Sequence, residues 1–161
     1  MLNFKVTAYL KLIFIVSFIS IFSAYYIEYI LGYQPCNLCL IERIPYGLSM
    51  ILIIINFLTK QSEKNFILLL ILVFVFSFLI SFYHFGIEQG YFEESTICGL
   101  KNAADIISKE ELLKQLNQKI ISCKDVTFKI FGISLTGVNM ILSIIIIIIL
   151  TKIFIKYEKI K

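Results

Sequence analysis

The chain has 161 residues, 59% of them hydrophobic, and a formal net charge of +4. Its mean hydropathy is +0.90. Soluble domains are nearer half apolar, so the composition excludes an ordinary soluble domain and indicates a membrane protein. The modest charge gives no reason to expect a nucleic-acid partner. Four cysteines, one histidine and no tryptophan leave few side chains for chemistry.

Three apolar runs are long enough to cross a bilayer, which needs about 20 residues for roughly 30 Å of hydrocarbon. They cover residues 12–31, 66–87 and 133–155. A fourth run, residues 44–59, is too short, so its helix has to begin earlier, near Leu38 or Cys39. Pro45 then lies inside that helix and removes a backbone hydrogen bond, which predicts a kink or a loosened turn. We therefore predict one domain, an all-α bundle of four transmembrane helices, with the second span at residues 40–59.

The first span is expected to remain in the protein. Removal of a signal peptide after Ala24 would need a small residue at the position of Phe22, and the apolar run continues past both.

Four spans put both termini on one face and the loops 32–39 and 88–132 on the other. Lysines flank the spans on the face of the termini, but the long loop also contains six lysines, so lysine and arginine alone decide little. All four cysteines lie in the two loops, and disulfides persist outside the cytoplasm. We expect cytoplasmic termini and loops on the opposite face of the membrane, outside the cytoplasm. Within the long loop, residues 101–121 show helical spacing of apolar residues, which predicts an amphipathic helix on the membrane surface or over the first loop, or a solvated connector.

Three kinds of chemistry compete for the cysteines. A structural metal site would need a second close pair of ligands, and His84 lies at the end of a span, so we predict no metal. A structural disulfide could join Cys98 and Cys123 and close the long loop into a ring. Cys36 and Cys39 are too close in sequence for such a gain in chain entropy, and this spacing is typical of redox work.

The surroundings of Cys39 favour a thiolate. Cys39 lies at the N-terminal end of the second span, where unpaired N–H groups and the helix dipole attract negative charge. Arg43 follows four residues later, which predicts that its guanidinium shares a helix face with Cys39. Arg43 could instead be an interfacial anchor paired with Glu42. A disulfide beside the bilayer needs an electron acceptor that can reach it. The sequence has no haem, iron–sulfur or nucleotide motif, so we expect membrane quinone.

Five short segments, in order, extend along nearly the whole chain. They are "PCNLCLIERIPYG", "FYHFGIE", "STICG", "ISCKD" and "FGISLTGVN". Together they closely resemble the DsbB family of disulfide-bond formation proteins. The resemblance implies a four-helix membrane enzyme that takes electrons from a reduced periplasmic thioredoxin-like protein of the DsbA type. It also implies delivery of those electrons to ubiquinone or menaquinone.

The resemblance implies a role for each cysteine. Cys98 would form the mixed disulfide with the partner protein. Cys123 would pass the oxidation state on by exchange with Cys36. Cys39 would be the thiolate that faces the quinone.

The resemblance also implies binding residues for the quinone. Arg43 matches the family's arginine beside the quinone, and His84 is a candidate to hydrogen-bond a quinone oxygen. Otherwise His84 would be an interfacial histidine packed among aromatic rings, and Glu88 is a weaker candidate. The chain departs from the family pattern in lacking the tryptophans often found in the long loop and at the start of the last span, where it has Phe128 and Val138.

Two other functions stay open on the sequence. One is a membrane carrier that moves reducing equivalents outward, as the CcdA and DsbD group does, although those proteins hold their cysteines within spans. The other is a membrane protein without enzymatic activity, in which two disulfides only staple the external loops.

Overall fold

The structure is a computed structural model that describes residues 2–59, 63–94, 98, 122–124, 128–130 and 132–158. Its elements are α1 (Leu2–Tyr29), α2 (Asn37–Ile41), α3 (Ile44–Thr59), α4 (Glu63–Glu88), the strands β1 (Lys129–Ile130) and β2 (Ile133–Ser134), and α5 (Leu135–Glu158). Four segments are long and apolar enough to cross a membrane: Val6–Tyr29, Asn37–Thr59, Lys64–Glu88 and Leu135–Lys156. The predicted four-helix membrane architecture is confirmed. The predicted amphipathic helix at residues 101–121 lies outside the described residues.

The second span is interrupted close to Pro45. α2 ends at Ile41 and α3 begins at Ile44, because proline has no N–H to donate to the preceding turn. The N–H of Arg43 donates instead to the carbonyl of Leu40 at 3.2 Å, which is a tighter turn than that of an α-helix. Glu42 and Arg43 therefore stand at a break between two helices.

The bundle is held together by an apolar core and by pairs of small polar residues. α4 packs most extensively against α5, while α3 packs against both α1 and α4. Serine hydroxyls pair across the helices, Ser17 with Ser49 at 3.0 Å and Ser77 with Ser143 at 3.1 Å. Small residues of this kind let helices approach closely inside lipid. The buried apolar core consists of Val6, Leu10, Ile13, Tyr46, Ile53, Ile67, Leu70, Phe74, Ile146, Leu150 and Ile153.

The chain after α4 folds back onto the end of that helix. The N–H of Tyr91 donates to the carbonyl of Gly86 at 2.8 Å. The ring of Phe92 lies over Gly86 and stacks on Tyr83, with ring centroids 5.7 Å apart. A Cβ at Gly86 would overlap the Phe92 ring, so this close approach requires glycine.

A short antiparallel hairpin, β1 and β2, leads into α5. Gly132 in its turn has a φ of 85°, which favours glycine. The Ser134 hydroxyl accepts the N–H of Gly137 at 3.1 Å and so caps the start of α5. The fourth span thus begins at Leu135, slightly later than the sequence predicts. Tyr33 packs against Phe128 edge to face, with centroids 5.4 Å apart, and joins the first loop to the hairpin.

Candidate functional site

The cysteines of the two loops meet at one end of the bundle. Cys98 and Cys123 form a disulfide, whereas Cys36 and Cys39 are free thiols with their Sγ atoms 2.7 Å apart. Cys36, Cys98 and Cys123 belong to one buried cluster, against which Cys39 packs. The fold therefore brings a disulfide and a dithiol next to each other.

The spacing of Cys36 and Cys39 follows from the start of α2. Cys36 is the N-cap of this helix, and its Sγ accepts the backbone N–H of Cys39 at 3.3 Å. A cap of this kind satisfies one of the N–H groups that a helix start leaves unpaired. Cys36 is buried and Cys39 is half-buried, so the two sulfurs differ in their surroundings.

His84 connects the thiols to a buried carboxylate. Its Nε2 is 3.5 Å from the Sγ of Cys36, and its Nδ1 is 2.8 Å from Oε1 of Glu42. The hydroxyl of Thr136 lies 3.2 Å from the same Nδ1. An ionised carboxylate only accepts hydrogen bonds, so Nδ1 carries the proton that faces Glu42. In the neutral ring, Nε2 then has a free lone pair and can take a proton from the Cys36 thiol.

Cys36 lies immediately before the second span. The hydrogen bond with the Cys39 thiol lowers the pKa of Cys36 from an ordinary 9.0 to about 5, with help from His84 and against the effect of burial. The sequence placed the thiolate on Cys39 instead, using the helix start and Arg43. In the dithiol form described here, the cap position and His84 favour a thiolate on Cys36, and the role of Cys39 stays a prediction.

Both oxygens of Glu42 are occupied. The Nδ2 of Asn139 donates to Oε2 of Glu42 at 2.9 Å and to the hydroxyl of Ser81 at 2.7 Å. The hydroxyl of Tyr46 donates in turn to Oδ1 of Asn139. A carboxylate inside a membrane span is costly unless it is paired in this way, and residues of this kind usually mark a functional site.

Arg43 has a different partner from the one considered on the sequence. Its guanidinium lies 2.5 Å from Oε2 of Glu28 on α1 and is placed over the ring of Tyr25, 4.9 Å from the centroid. It is therefore an anchor to α1, while the adjacent Glu42 points to His84. The predicted face shared with Cys39 assumed an unbroken helix, and the break at residues 42–43 removes that assumption.

A cavity of about 280 Å³ opens beside these groups. Its polar lining includes Cys36, Cys39, Glu42, Arg43 and His84, and Cys123 also lines it. Its apolar walls come from α1 and α5 and include Ile19, Ile27, Leu135, Val138 and Leu142. The cavity suits a molecule with a polar head and an apolar body.

The chain matches the family model for "Disulfide bond formation protein DsbB" over residues 7–153. The protein belongs to the DsbB family. It is also 33% identical over 137 residues to "Uncharacterized protein RP370" of Rickettsia prowazekii (strain Madrid E), which covers 84% of this chain and 80% of that protein. No solved structure matches the chain significantly. Membership of the DsbB family makes this chain a multi-pass membrane thiol oxidoreductase of disulfide-bond formation.

Sequence reasoning assigned no role to several residues at this DsbB-family site. On the sequence, Glu42 was considered only as a possible partner of Arg43. Thr136 and Asn139 were quoted only as part of the segment "FGISLTGVN". Polar residues inside otherwise apolar spans were the signal that could have found them. The residues missed in this way are Glu28, Glu42, Tyr46, Ser81, Thr136 and Asn139.

Glu88 differs from the other carboxylates of the DsbB-family site. Its side chain is 5% exposed, and its Oε1 is 4.0 Å from the Nε2 of His84. Its Oε2 is buried and has no hydrogen-bond partner among the described residues. Glu88 also lines the cavity, so it presents an unsatisfied acceptor to whatever the cavity holds.

Proposed function

We propose that this DsbB-family protein reoxidises a reduced periplasmic thioredoxin-like protein of the DsbA type and passes the electrons to membrane quinone, ubiquinone or menaquinone. One observation carries the proposal. The Cys98–Cys123 disulfide and the Cys36 and Cys39 thiols share one buried cluster beside a cavity with apolar walls. Cys98 and Cys123 are only 1% and 2% exposed, so the proposal requires that this pair become accessible to the partner's dithiol. The cavity beside Cys36 and Cys39 gives a lipid-soluble acceptor a route to the second pair.

The first exchange takes place on the Cys98–Cys123 disulfide, called the outer disulfide below. A thiolate of the partner attacks the sulfur of Cys98, and Cys123 leaves as a thiolate. The second thiolate of the partner then breaks the mixed disulfide and releases the partner in its oxidised form. Two electrons now reside on Cys98 and Cys123.

The second exchange moves these electrons to the first loop. With Cys36 and Cys39 joined as a disulfide, the Cys123 thiolate attacks Cys36 and releases Cys39 as a thiolate. Cys98 then attacks Cys123 and restores the outer disulfide, so Cys36 and Cys39 end as a dithiol.

The cavity residues fit a quinone, which supplies an acceptor for two electrons and two protons when bound. Arg43 lines the cavity, with its guanidinium paired to Glu28, and would stabilise negative charge there. His84 holds a proton at Nδ1 against Glu42 and can move the thiol proton through Nε2. The apolar walls would exclude water and accommodate an isoprenoid tail.

The proposal includes a location in the membrane. Four spans put both termini at one face, and the cysteine loops at the other. We place the cysteines on the periplasmic side of the bacterial inner membrane and both termini in the cytoplasm, because disulfide exchange persists outside the cytoplasm.

Turnover by the purified, detergent-solubilised chain tests the function. A reduced thioredoxin-like periplasmic protein is supplied with and without quinone, and its oxidation is followed for wild type, Cys39→Ala and Leu40→Ala. Leu40 is exposed in the same short helix and serves as the matched control. We expect quinone-dependent oxidation that Cys39→Ala abolishes and Leu40→Ala retains. Absence of turnover with either quinone, with both cysteine pairs resistant to the partner, would leave a membrane protein whose disulfides only staple its loops.

A further inference from the structure

We propose that the reduced form of this site binds a thiophilic divalent cation, Zn²⁺, through Cys36, Cys39 and His84, with Glu88 as the fourth ligand. The two Sγ atoms and one ring nitrogen of His84 all lie within 4.8 Å of one another. Two thiolates and an imidazole form a donor set that zinc uses in proteins. The sequence predicted no metal because a second close pair of ligands is missing and His84 lies at the end of a span, and only the fold brings His84 to Cys36 and Cys39.

One distance between ligand atoms already agrees with a zinc site. Tetrahedral bond lengths of about 2.3 Å to sulfur and about 2.0 Å to nitrogen put two sulfurs about 3.8 Å apart and sulfur and nitrogen about 3.5 Å apart. The Sγ of Cys36 is already 3.5 Å from Nε2 of His84. The two sulfurs, 2.7 Å apart, need to separate further. A rotation of the half-buried Cys39 side chain provides this movement.

Glu42 prepares His84 for such a role. It binds Nδ1 at 2.8 Å, so the lone pair of Nε2 faces the thiols. A carboxylate behind a ligating histidine fixes the ring and makes the nitrogen more basic, which is common around protein-bound zinc. The Nε2 of His84 and the Sγ of Cys36 are therefore already oriented before any metal binds.

Glu88 provides an independent indication of a cation. Its Oε2 is buried without a hydrogen-bond partner among the described residues, and its Oε1 is 4.0 Å from Nε2 of His84. A buried carboxylate oxygen without a partner carries an uncompensated desolvation cost. A cation between the thiols, His84 and Glu88 would remove that cost. The carboxylate oxygen is also a ligand type that zinc accepts.

Binding is coupled to the redox state without any electron transfer. Zn²⁺ replaces the protons of the two thiols, up to two protons are released to solvent, and two zinc–sulfur bonds form. When Cys36 and Cys39 form a disulfide, both sulfur donors are lost. The cation therefore binds the dithiol and holds it reduced. Inhibition of turnover by Zn²⁺ rests on the proposed function, because it requires that the dithiol normally reduces a quinone. Binding of Zn²⁺ to the dithiol does not depend on that function.

The test measures metal binding directly. The full chain carrying Cys98→Ser and Cys123→Ser is purified in detergent, so that Cys36 and Cys39 are the only thiols. Co²⁺ is the spectroscopic probe, since thiolate ligation gives a sulfur-to-cobalt charge-transfer absorption, and Zn²⁺ then competes. We expect one Co²⁺ per reduced chain, displaced by one equivalent of Zn²⁺, and no such absorption after oxidation of the pair.

A pair of carboxylate variants tests the fourth ligand. Glu88→Gln should weaken Zn²⁺ binding about tenfold or more. Glu94→Gln, which changes an exposed carboxylate in the neighbouring loop, should leave it unchanged. No charge-transfer absorption in the reduced chain, or equal binding by the reduced and the oxidised chain, overturns the proposal, and the latter shows adventitious binding at the surface. Equal binding by Glu88→Gln and wild type overturns the role of Glu88.

Quinone turnover of the metal-free wild type is measured separately, so failure of the proposed function is distinguished from failure of the zinc site.

Discussion

His84 and Glu42 belong to different membrane-spanning segments, and their side chains meet with Nδ1 of His84 2.8 Å from Oε1 of Glu42. This contact orients the imidazole so that its other nitrogen faces Cys36 at 3.5 Å. Glu42 thus acts on the thiol through His84, without touching the sulfur itself. The arrangement is a thiol, a base and a group that orients the base, which is the usual arrangement around an activated nucleophile.

Glu42→Gln is expected to raise the pKa of Cys36 and to slow turnover. Glutamine can present its amide to Nδ1 in either orientation, so the ring is no longer held with its lone pair toward the thiol. We expect quinone-dependent turnover to fall by about 100-fold. The pH dependence of Cys36 alkylation gives the pKa. Glu28→Gln is the matched control, because Glu28 contacts Arg43 and not His84. Loss of the Glu42 charge alone would lower the thiol pKa, so an unchanged or lowered Cys36 pKa in Glu42→Gln, or an equal rise in Glu28→Gln, would refute orientation of His84 as the cause.

The low pKa of Cys36 should depend on a hydrogen-bond donor at position 39. The pKa falls to about 5 chiefly through the Cys39 thiol, so the Cys36 thiolate should persist as pH is lowered from 9.0 until that value is reached. Cys39→Ser keeps a donor and Cys39→Ala removes it. Each variant leaves Cys36 as the only thiol while Cys98 and Cys123 stay joined. Alkylation by iodoacetamide, with the labelled peptide identified by mass spectrometry, should lose half its rate at a lower pH in the serine variant. Identical profiles would exclude the hydrogen bond as the cause.

Arg43 and Glu28 should be energetically coupled. Their side chains are 15% and 20% exposed. Removing either charge would therefore leave the other unpaired and poorly solvated near the membrane edge. The double variant Arg43→Gln with Glu28→Gln should lose less stability than the sum of the single changes, with a coupling of about 1 kcal/mol. Denaturation in detergent supplies the four free energies. Glu28→Gln combined with Lys152→Gln, a pair on different helices, should be additive, and a coupling as large as that with Arg43 would refute a specific contact.

Gly86→Ala should destabilise the end of α4. The new methyl group would displace Phe92, which stacks on Tyr83 beside the cysteine cluster. We expect a loss of about 1–3 kcal/mol in the free energy of unfolding, as for other overpacked sites. Gly47→Ala is the matched change in α3, where the nearest atom would be 4.0 Å away, on Ile21. That variant should be neutral or slightly stabilised, because alanine favours helix. Equal stability of the two variants would mean that Phe92 moves aside without cost.

The sequence predicted the features that depend on length and local chemistry. The length of apolar runs gave the four spans, and Pro45 gave the interruption of the second one. The partners of Glu42 and Arg43 could not be predicted, because contacts between helices depend on how each helix is rotated about its axis. The short α2 and the two residues after it change that rotation. The roles of the cysteines, Arg43 and His84 in turnover remain predictions.

The break between α2 and α3 separates two neighbouring charges. Glu42 reaches α4 and α5, while Arg43 reaches α1. In an unbroken helix the angle between adjacent side chains is fixed at about 100°. Transplanting this pair of thiols into another helical scaffold would therefore require more than the cysteine motif. The two-residue interruption would have to accompany the cysteine motif. This interruption lets one short stretch of chain contact α1 on one side and α4 and α5 on the other.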